Sequence, residues 1–469
     1  MPKIEKLREK HRQFIYKRYG WDISSKGLEI FFDFQISPDI NFRPTVLIEK
    51  VAKEDLVKAG DDILNNLVFN LGMAEIASYW KTTCSPEIII EAGALSPEQK
   101  KWWRWLLVNG LGQFFYENKI DPYKPGFLKI ISAGPAKNNG PAKKTPELND
   151  KIMVPIGGGK DSAVTLEILA QSKKNILCFC LNPSKESLAI AKTAGNYDYA
   201  IARRTIDKKL IELNQQGYLN GHTPFSAYLA FLTTLAAALF DCRQIAVSNE
   251  ASSNEATLKY LGKDINHQWS KTFAFERSFR KYSQKYLSAG TDYFSFLRPL
   301  HEIQIAKIFS GFEKYHPLFI SCNEAYKTRS GQTTPTGKWC ASCSKCLFAF
   351  IILYPFISEE KMIKIFGQNL FENKTLLGIA KELTGEKPAK PLECVGTREE
   401  SRAAFYLSLL KFRRGSPSSK LPFLLDHFEK KAMPKNKNWS KGAKKILASW
   451  NEQNSLPEGF DKILKRYFL

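Results

Sequence analysis

The pattern of apolar and polar positions changes character along the chain. Phe31 to Ile36 and Thr45 to Val51 read as strands around a turn that holds Pro38, Asp39 and Pro44. Ser96-Pro97-Glu98-Gln99 reads as a helix start, with Ser96 as cap, Pro97 at the first helical position and Gln99 closing a capping box. That helix carries Trp102, Trp103, Trp105, Leu106 and Leu107, an aromatic cluster expected in a core. After it the chain becomes rich in Gly, Pro, Lys and Asn (AGPAKNNGPAKKTP), which reads as an exposed connection.

Beyond this connection strands and helices alternate. Lys151 to Ile156 is a short apolar strand, followed by a glycine turn and a helix from Asp161 to about Gln171. Asn175 to Leu181 is a buried strand, then a helix spans Lys185 to Thr193. Tyr197 to Ala202, a helix near Ile206 to Gln216, the apolar helix Phe225 to Phe240 and the strand Ile245 to Ser248 complete the run. The alternation predicts an α/β fold with a doubly wound parallel sheet, whose ligands bind beyond the carboxyl ends of its strands. The expected organisation is an N-terminal α+β domain over 1–132, a linker over 133–148, a catalytic domain over 149–356 and a helical C-terminal region over 357–469.

Composition sharpens the class. The chain has 469 residues, 43% hydrophobic and 25% charged, as a folded globular protein requires. Its most apolar stretches, such as Leu347 to Phe356, are too short to span a bilayer, and Met1 to Arg12 has no apolar signal core. A cytoplasmic protein without membrane attachment is expected. The net charge of +22 is spread along the chain. A lysine-rich proteome, or an enzyme that handles polyanions, ranks above a nucleic-acid surface.

The chemistry starts at Gly157-Gly158-Gly159-Lys160-Asp161-Ser162, between a strand and a helix. Glycines let backbone N–H groups approach an anion, and the helix aims its positive end at the same place. Asp161 can position magnesium and Ser162 can donate to a phosphate oxygen. The spacing matches neither G-x-x-x-x-G-K-[ST] nor G-x-G-x-x-G. A second polar block follows the fourth strand: Ser248, Asn249, Glu250, Asn254 and Glu255, then His267, Gln268, Ser270, Lys271 and Glu276. A dense polar block at a strand's carboxyl end belongs at the mouth of a site. Glu250 and Glu255 can hold magnesium or an ammonium group. His267 and Lys271, four apart, would share a face if helical, and either can serve as a base.

Of nine cysteines, Cys322, Cys340, Cys343 and Cys346 lie close in sequence. Four thiolates suit a tetrahedral structural zinc; an iron–sulfur cluster ranks lower, and a role as proton-transfer bases is the competing reading. Cys84, Cys178, Cys180, Cys242 and Cys394 are scattered, with burial the default.

The glycine loop resembles the pyrophosphatase loop (S-G-G-x-D-S/T) of ATP pyrophosphatases of the adenine nucleotide alpha-hydrolase-like, or PP-loop, fold, and departs from it in having Gly157 where that family has Ser. The resemblance implies cleavage of ATP between its α and β phosphates and adenylation of a substrate oxygen. Further stretches narrow it: Leu71-Gly72-Met73, Ser78-Tyr79-Trp80-Lys81, Cys84-Ser85-Pro86-Glu87, Ser248-Asn249-Glu250, Asn266-His267-Gln268 with Ser270-Lys271, Arg298-Pro299-Leu300-His301-Glu302, Ser321-Cys322-Asn323, Trp339-Cys340 to Lys345-Cys346 and Glu393-Cys394-Val395-Gly396. Together they resemble the ATP-dependent UDP-N-acetylmuramoyl-L-alanyl-L-glutamate epimerases (the MurL family).

That resemblance implies an isomerase of peptidoglycan synthesis. It would activate the terminal L-Glu as an acyl-adenylate, epimerise it to D-Glu and release AMP and pyrophosphate, using ATP and Mg²⁺. Its substrate is a nucleotide-sugar dipeptide, and its functional partner is the ligase that adds L-Glu to the muramoyl-L-alanine nucleotide. ATP is expected on residues 157–162 with Leu181 and Asn182, and substrate on Ser248, Asn249, Glu250, Asn254, Glu255, Gln268, Ser270, Arg298 and His301. His267, Lys271 and Glu276 are the proton-transfer candidates, with a cysteine as a further possibility. The competing readings are another PP-loop adenylating enzyme, of the 7-deazaguanine synthase or tRNA-modifying kind, and a zinc-stabilised nucleic-acid-binding protein.

Overall fold

The computed structural model describes residues 3–133, 147–195, 197–287, 290–326, 336–415, 418–435 and 438–468. Most of the expected linker, 134–146, lies outside the described residues. Strands of the N-terminal part are β1 (Gln13–Ser24), β2 (Gly27–Ile36), β3 (Ile40–Phe42), β4 (Thr45–Glu49), β5 (Glu87–Ile90) and β6 (Lys129–Ser132). Those that follow are β7 (Ile152–Pro155), β8 (Ile176–Leu181), β9 (Tyr199–Thr205), β10 (Gln244–Val247), β11 (Leu258–Tyr260), β12 (Lys263–Ile265) and β13 (Asp292–Ser295).

Period-two alternation makes β2 a strand: Leu28, Ile30, Phe32, Phe34 and Ile36 are all buried. The Ser96 capping box forms as its sequence predicts. The Gln99 N–H donates to Ser96 Oγ at 3.2 Å, and the Ser96 N–H to Gln99 Oε1 at 3.0 Å, starting the Pro97–Gly110 helix. The long Asp61–Trp80 helix has no amphipathic signature because it is buried almost all round. Gly72 sits within it where a Cβ would fall 2.0 Å from the Tyr16 hydroxyl, so only glycine lets β1 approach.

Among the described residues, eleven strands form one mixed, mostly parallel sheet in the order β13-β10-β7-β8-β9-β4-β2-β1-β5-β6, with β3 beside β2. β7, β8, β9, β10 and β13 are mutually parallel. β4 joins β9 antiparallel, pairing Val46 with Arg204. The sheet therefore runs across the expected boundary at 133–148, and edge pairing joins the two sequence regions into one layer.

The parallel strands are buried on both faces, which accounts for their near-continuous apolar runs. Met153, Leu177, Phe179 and Ile245 face one core with the Asp61–Trp80, Phe225–Leu239 and Phe273–Tyr282 helices. Ile152, Val154, Cys178, Cys180 and Ala246 face the other, with the Lys160–Gln171, Glu302–Ser310 and Ser344–Leu353 helices. The C-terminal helices share this second core through Leu383, Phe405, Leu425 and Leu464. No helix among the described residues is long and apolar enough to cross a membrane.

Candidate active site

From β7 the chain winds one way to β8 and β9, and returns on the other side to place β10 and β13. The order reverses between β7 and β10, and in open parallel sheets the carboxyl ends of the strands at such a reversal are where ligands bind. Both sequence-predicted loops emerge there, residues 157–159 after β7 and 248–250 after β10. A Cβ on Gly157 would meet nothing within 4 Å, and Gly158 takes a φ of +89°, which favours glycine. Gly159 caps the Lys160–Gln171 helix, and Ser162 Oγ donates to the Gly159 carbonyl at 3.0 Å. The loop is braced from behind by the Ile320 N–H, which donates to the Gly158 carbonyl at 2.9 Å.

At the head of this helix, carboxylate oxygens of Asp161, Glu250 and Glu302 all lie within 4.8 Å of one another. Lys160 pairs with Asp161 and Glu302. Burial opposes the Lys160 charge, but the two carboxylates outweigh it and raise its pKa. Burial, then Asp161, pushes Glu302 well above the ordinary carboxylate range. Burial also raises Glu250, against the pull of Lys271. Glu250 Oε1 and Ser248 Oγ are buried without a hydrogen-bond partner among the described residues. Buried oxygens of this kind call for a partner such as a water or an ion.

Arg298 is 0% exposed and forms an ion pair with Glu276, itself 1% exposed, at 3.0 Å. Its other donors reach the Glu250 carbonyl at 2.6 Å, Ser253 Oγ at 2.9 Å, Ser295 Oγ at 3.1 Å and the Lys271 carbonyl. Arg298 was expected on substrate and Glu276 in proton transfer. Their placement instead suits a buried clamp that sets the backbone of Glu250 and Lys271. Asn249 donates to Ser295 Oγ at 3.1 Å. Asn254 ties the Ala251 carbonyl to the Phe273 N–H. Glu255 turns to Lys390 at 2.9 Å.

The shared helical face expected for His267 and Lys271 does not form. His267 lies in a turn and Lys271 ends a 3₁₀ segment, because Thr272 caps a new helix at Phe273. His267 bonds Gln113 and packs on His222 with ring centroids 4.7 Å apart. Lys271 points elsewhere, with Nζ 3.7 Å from Cys394 Sγ. Gln268 donates to the Val395 carbonyl at 3.1 Å, and Ser270 is buried. His301 caps the Glu302–Ser310 helix, its Nδ1 3.9 Å from Glu400. Half-buried Leu181 packs on the first core, while Asn182 spends its amide bridging to the Arg204 backbone.

Cys322, Cys340, Cys343 and Cys346 converge, with sulfurs of adjoining pairs 3.5, 3.6 and 3.8 Å apart. Hydrogen bonds from Cys343 and Cys346 hold Cys322 far below the ordinary thiol range. Two neighbours of the cluster link it to the segment that carries Cys394. Lys345 donates to Asn323 Oδ1 at 3.3 Å, and Asn323 donates to Glu393 at 2.8 Å, beside Cys394.

Glu302 and Cys394 had no role in the reading of the sequence. Both stand in segments that carry the family resemblance, but only proximity across the fold gives them chemistry. The family model for the MurL N-terminal domain matches residues 5–296, and that for the MurL C-terminal domain matches residues 318–433. Three relatives are each named UDP-N-acetyl-alpha-D-muramoyl-L-alanyl-L-glutamate epimerase. The Micromonospora sp. protein is 32% identical over 85% of this chain and 86% of its own. The Xanthomonas oryzae pv. oryzae protein is 34% identical over 70% of this chain and 71% of its own. The Salinispora tropica protein is 32% identical over 86% of this chain and 85% of its own. With both of its domains matched and relatives aligned along most of its length, the chain belongs to the MurL family.

Proposed function

We propose that this protein converts the terminal L-glutamate of UDP-N-acetylmuramoyl-L-alanyl-L-glutamate to D-glutamate, at the expense of ATP, through an acyl-adenylate on a PP-loop fold. The relatives' shared name supports the substrate and the inversion. The observation that carries the ATP chemistry is the carboxylate group Asp161, Glu250 and Glu302 beside a glycine loop and helix N-terminus at the sheet's switch point.

An α-carboxylate resists losing its Cα proton because the resulting anion would add charge to charge. Transfer of AMP to that carboxylate releases pyrophosphate and leaves a carbonyl that can carry an enolate. Donors aimed at that oxygen then lower the barrier. The proton returns to the opposite face, and water cleaves the adenylate to give D-glutamate and AMP. The N–H groups at residues 158–162 suit the phosphates, and Lys160 and Lys271 suit their negative charge.

The orphaned Glu250 Oε1 and the all-oxygen donor set fit Mg²⁺, held by Asp161, Glu250 and Glu302. The ion would supply charge neutralisation for the phosphates. The four thiols fit zinc: a Zn–S bond of about 2.3 Å sets tetrahedral sulfurs about 3.8 Å apart, close to the separations present. Such an ion would anchor Asn323 and Lys345 in a structural role. The substrate implies a ligase that attaches L-glutamate to the muramoyl-L-alanine nucleotide, as the functional partner.

The test supplies purified protein with ATP, Mg²⁺ and the L-Glu dipeptide nucleotide. AMP and pyrophosphate should accumulate, and chiral analysis after hydrolysis should find D-glutamate. Recovery of L-glutamate alone from folded, ATP-consuming protein would reject the epimerase reading.

A further inference from the structure

Cys394 differs from the other cysteines outside the four-thiol cluster. Cys84, Cys178, Cys180 and Cys242 are buried, and burial drives their thiols upward, Cys178 to about 12 and Cys180 to about 11. Cys394 is only partly covered and lies 3.7 Å from Lys271 Nζ. Burial opposes its ionisation and Asp161 adds to that opposition, but the Lys271 and Lys345 ammoniums outweigh both, so the thiol lies below its ordinary value.

The position is built. Gln268 holds the Val395 carbonyl, Asn323 holds Glu393, and Lys390 Nζ donates to the Gly396 carbonyl at 3.1 Å. The loop is thus pinned on both sides of the sulfur. Lys271 also feels Glu250, Asp161 and Glu302, which puts the pair at the edge of the carboxylate group. The neighbouring carboxylate group, whose Glu250 Oε1 is buried without a hydrogen-bond partner among the described residues, is the place read above for the nucleotide's metal, so the pair adjoins the end of the substrate that is activated.

We propose that Cys394 Sγ, paired with Lys271, takes the Cα proton of the activated glutamate. The assignment rests on the epimerase reading above. As the Cα–H bond breaks and S–H forms, the bonding pair moves into a Cα–C double bond and the carbonyl pair onto oxygen. An acid in exchange with solvent, on the opposite face, returns a proton to Cα. The thiol then gives its proton to solvent and the thiolate is restored, with no change of oxidation state. Lys271 is the positioning residue that keeps the sulfur anionic.

The experiment runs the full-length protein in D₂O with ATP, Mg²⁺ and the L-Glu dipeptide nucleotide, measuring Cα deuterium and pyrophosphate in one sample. In Cys394→Ala and Cys394→Ser, the ratio of Cα exchange to pyrophosphate released should fall at least 100-fold, in line with the roughly 10²–10⁴-fold reach of acid–base catalysis. Lys271→Met should move the acid limb of the exchange rate to higher pH and slow iodoacetamide labelling of Cys394 at least tenfold. That signature reads the thiolate and not the fold. A wild-type ratio in Cys394→Ala, or unchanged labelling in Lys271→Met, overturns the assignment. Wild-type protein that releases no pyrophosphate with this substrate would instead remove the activation reading, and the assignment with it.

Discussion

Replacing Arg298 by Met tests whether the site backbone is held by a buried clamp. The guanidinium is 0% exposed, and its loss leaves the Glu276 carboxylate, 1% exposed, with the Ser295 N–H at 3.3 Å. Breaking a buried pair from one side costs about 3–5 kcal/mol. The carbonyls of Glu250 and Lys271 lose donors too, at about 1 kcal/mol each after relaxation. The sum, roughly 5–7 kcal/mol, is comparable with the whole stability of an ordinary domain, about 5–15 kcal/mol. Arg298→Met should therefore be poorly folded. Arg298→Lys keeps the charge but loses the planar fork, and should cost roughly half as much. Urea unfolding followed by tryptophan fluorescence measures these differences. Adding Glu276→Gln to Arg298→Met should restore about 2 kcal/mol, because no carboxylate is then stranded. A loss below about 1 kcal/mol in Arg298→Met, or strict additivity in the double variant, would refute the reasoning.

Asp161→Asn and Glu250→Gln should lower ATP-dependent pyrophosphate release by roughly 10²-fold or more and abolish the Mg²⁺-dependent stabilisation of the protein by ATP; a coupled pyrophosphate assay and a melting scan check both. Cys343→Ser should lose about one equivalent of zinc by elemental analysis and become easier to unfold, whereas unchanged metal content would return the thiols to other chemistry. Lys81 is buried with its pKa lowered to about 8 by burial, then by Arg204. An unfolded lysine titrates near 10.4, so between about pH 8 and 10.4 the unfolded chain binds more protons and stability should rise with pH. Below pH 8 the penalty for burying the ammonium is present in full. Lys81→Met should flatten this slope relative to the wild type in urea titrations at pH 8 and 10.

The strand and helix rhythm from Ile152 to Val247, the glycine loop and the C-x2-C-x2-C run of Cys340, Cys343 and Cys346 were legible in the sequence, because each depends on neighbours within a few residues. Periodicity, a turn's need for glycine and ligand spacing are local. The Asp61–Trp80 helix escaped that reading because burial on every side erases the pattern that marks a helix. β13 and the joining of β4 to β9 escaped it because strand pairing is chosen between distant segments. Only tertiary structure decided the composition of the site. It set Glu302 against Lys160, withdrew Arg298 and Glu276 into a buried pair, separated His267 from Lys271 and brought Cys394 to that lysine across 123 positions. Charge and reactivity depend on through-space distance and burial, and one chain carries no measure of either until its sheet and helices pack.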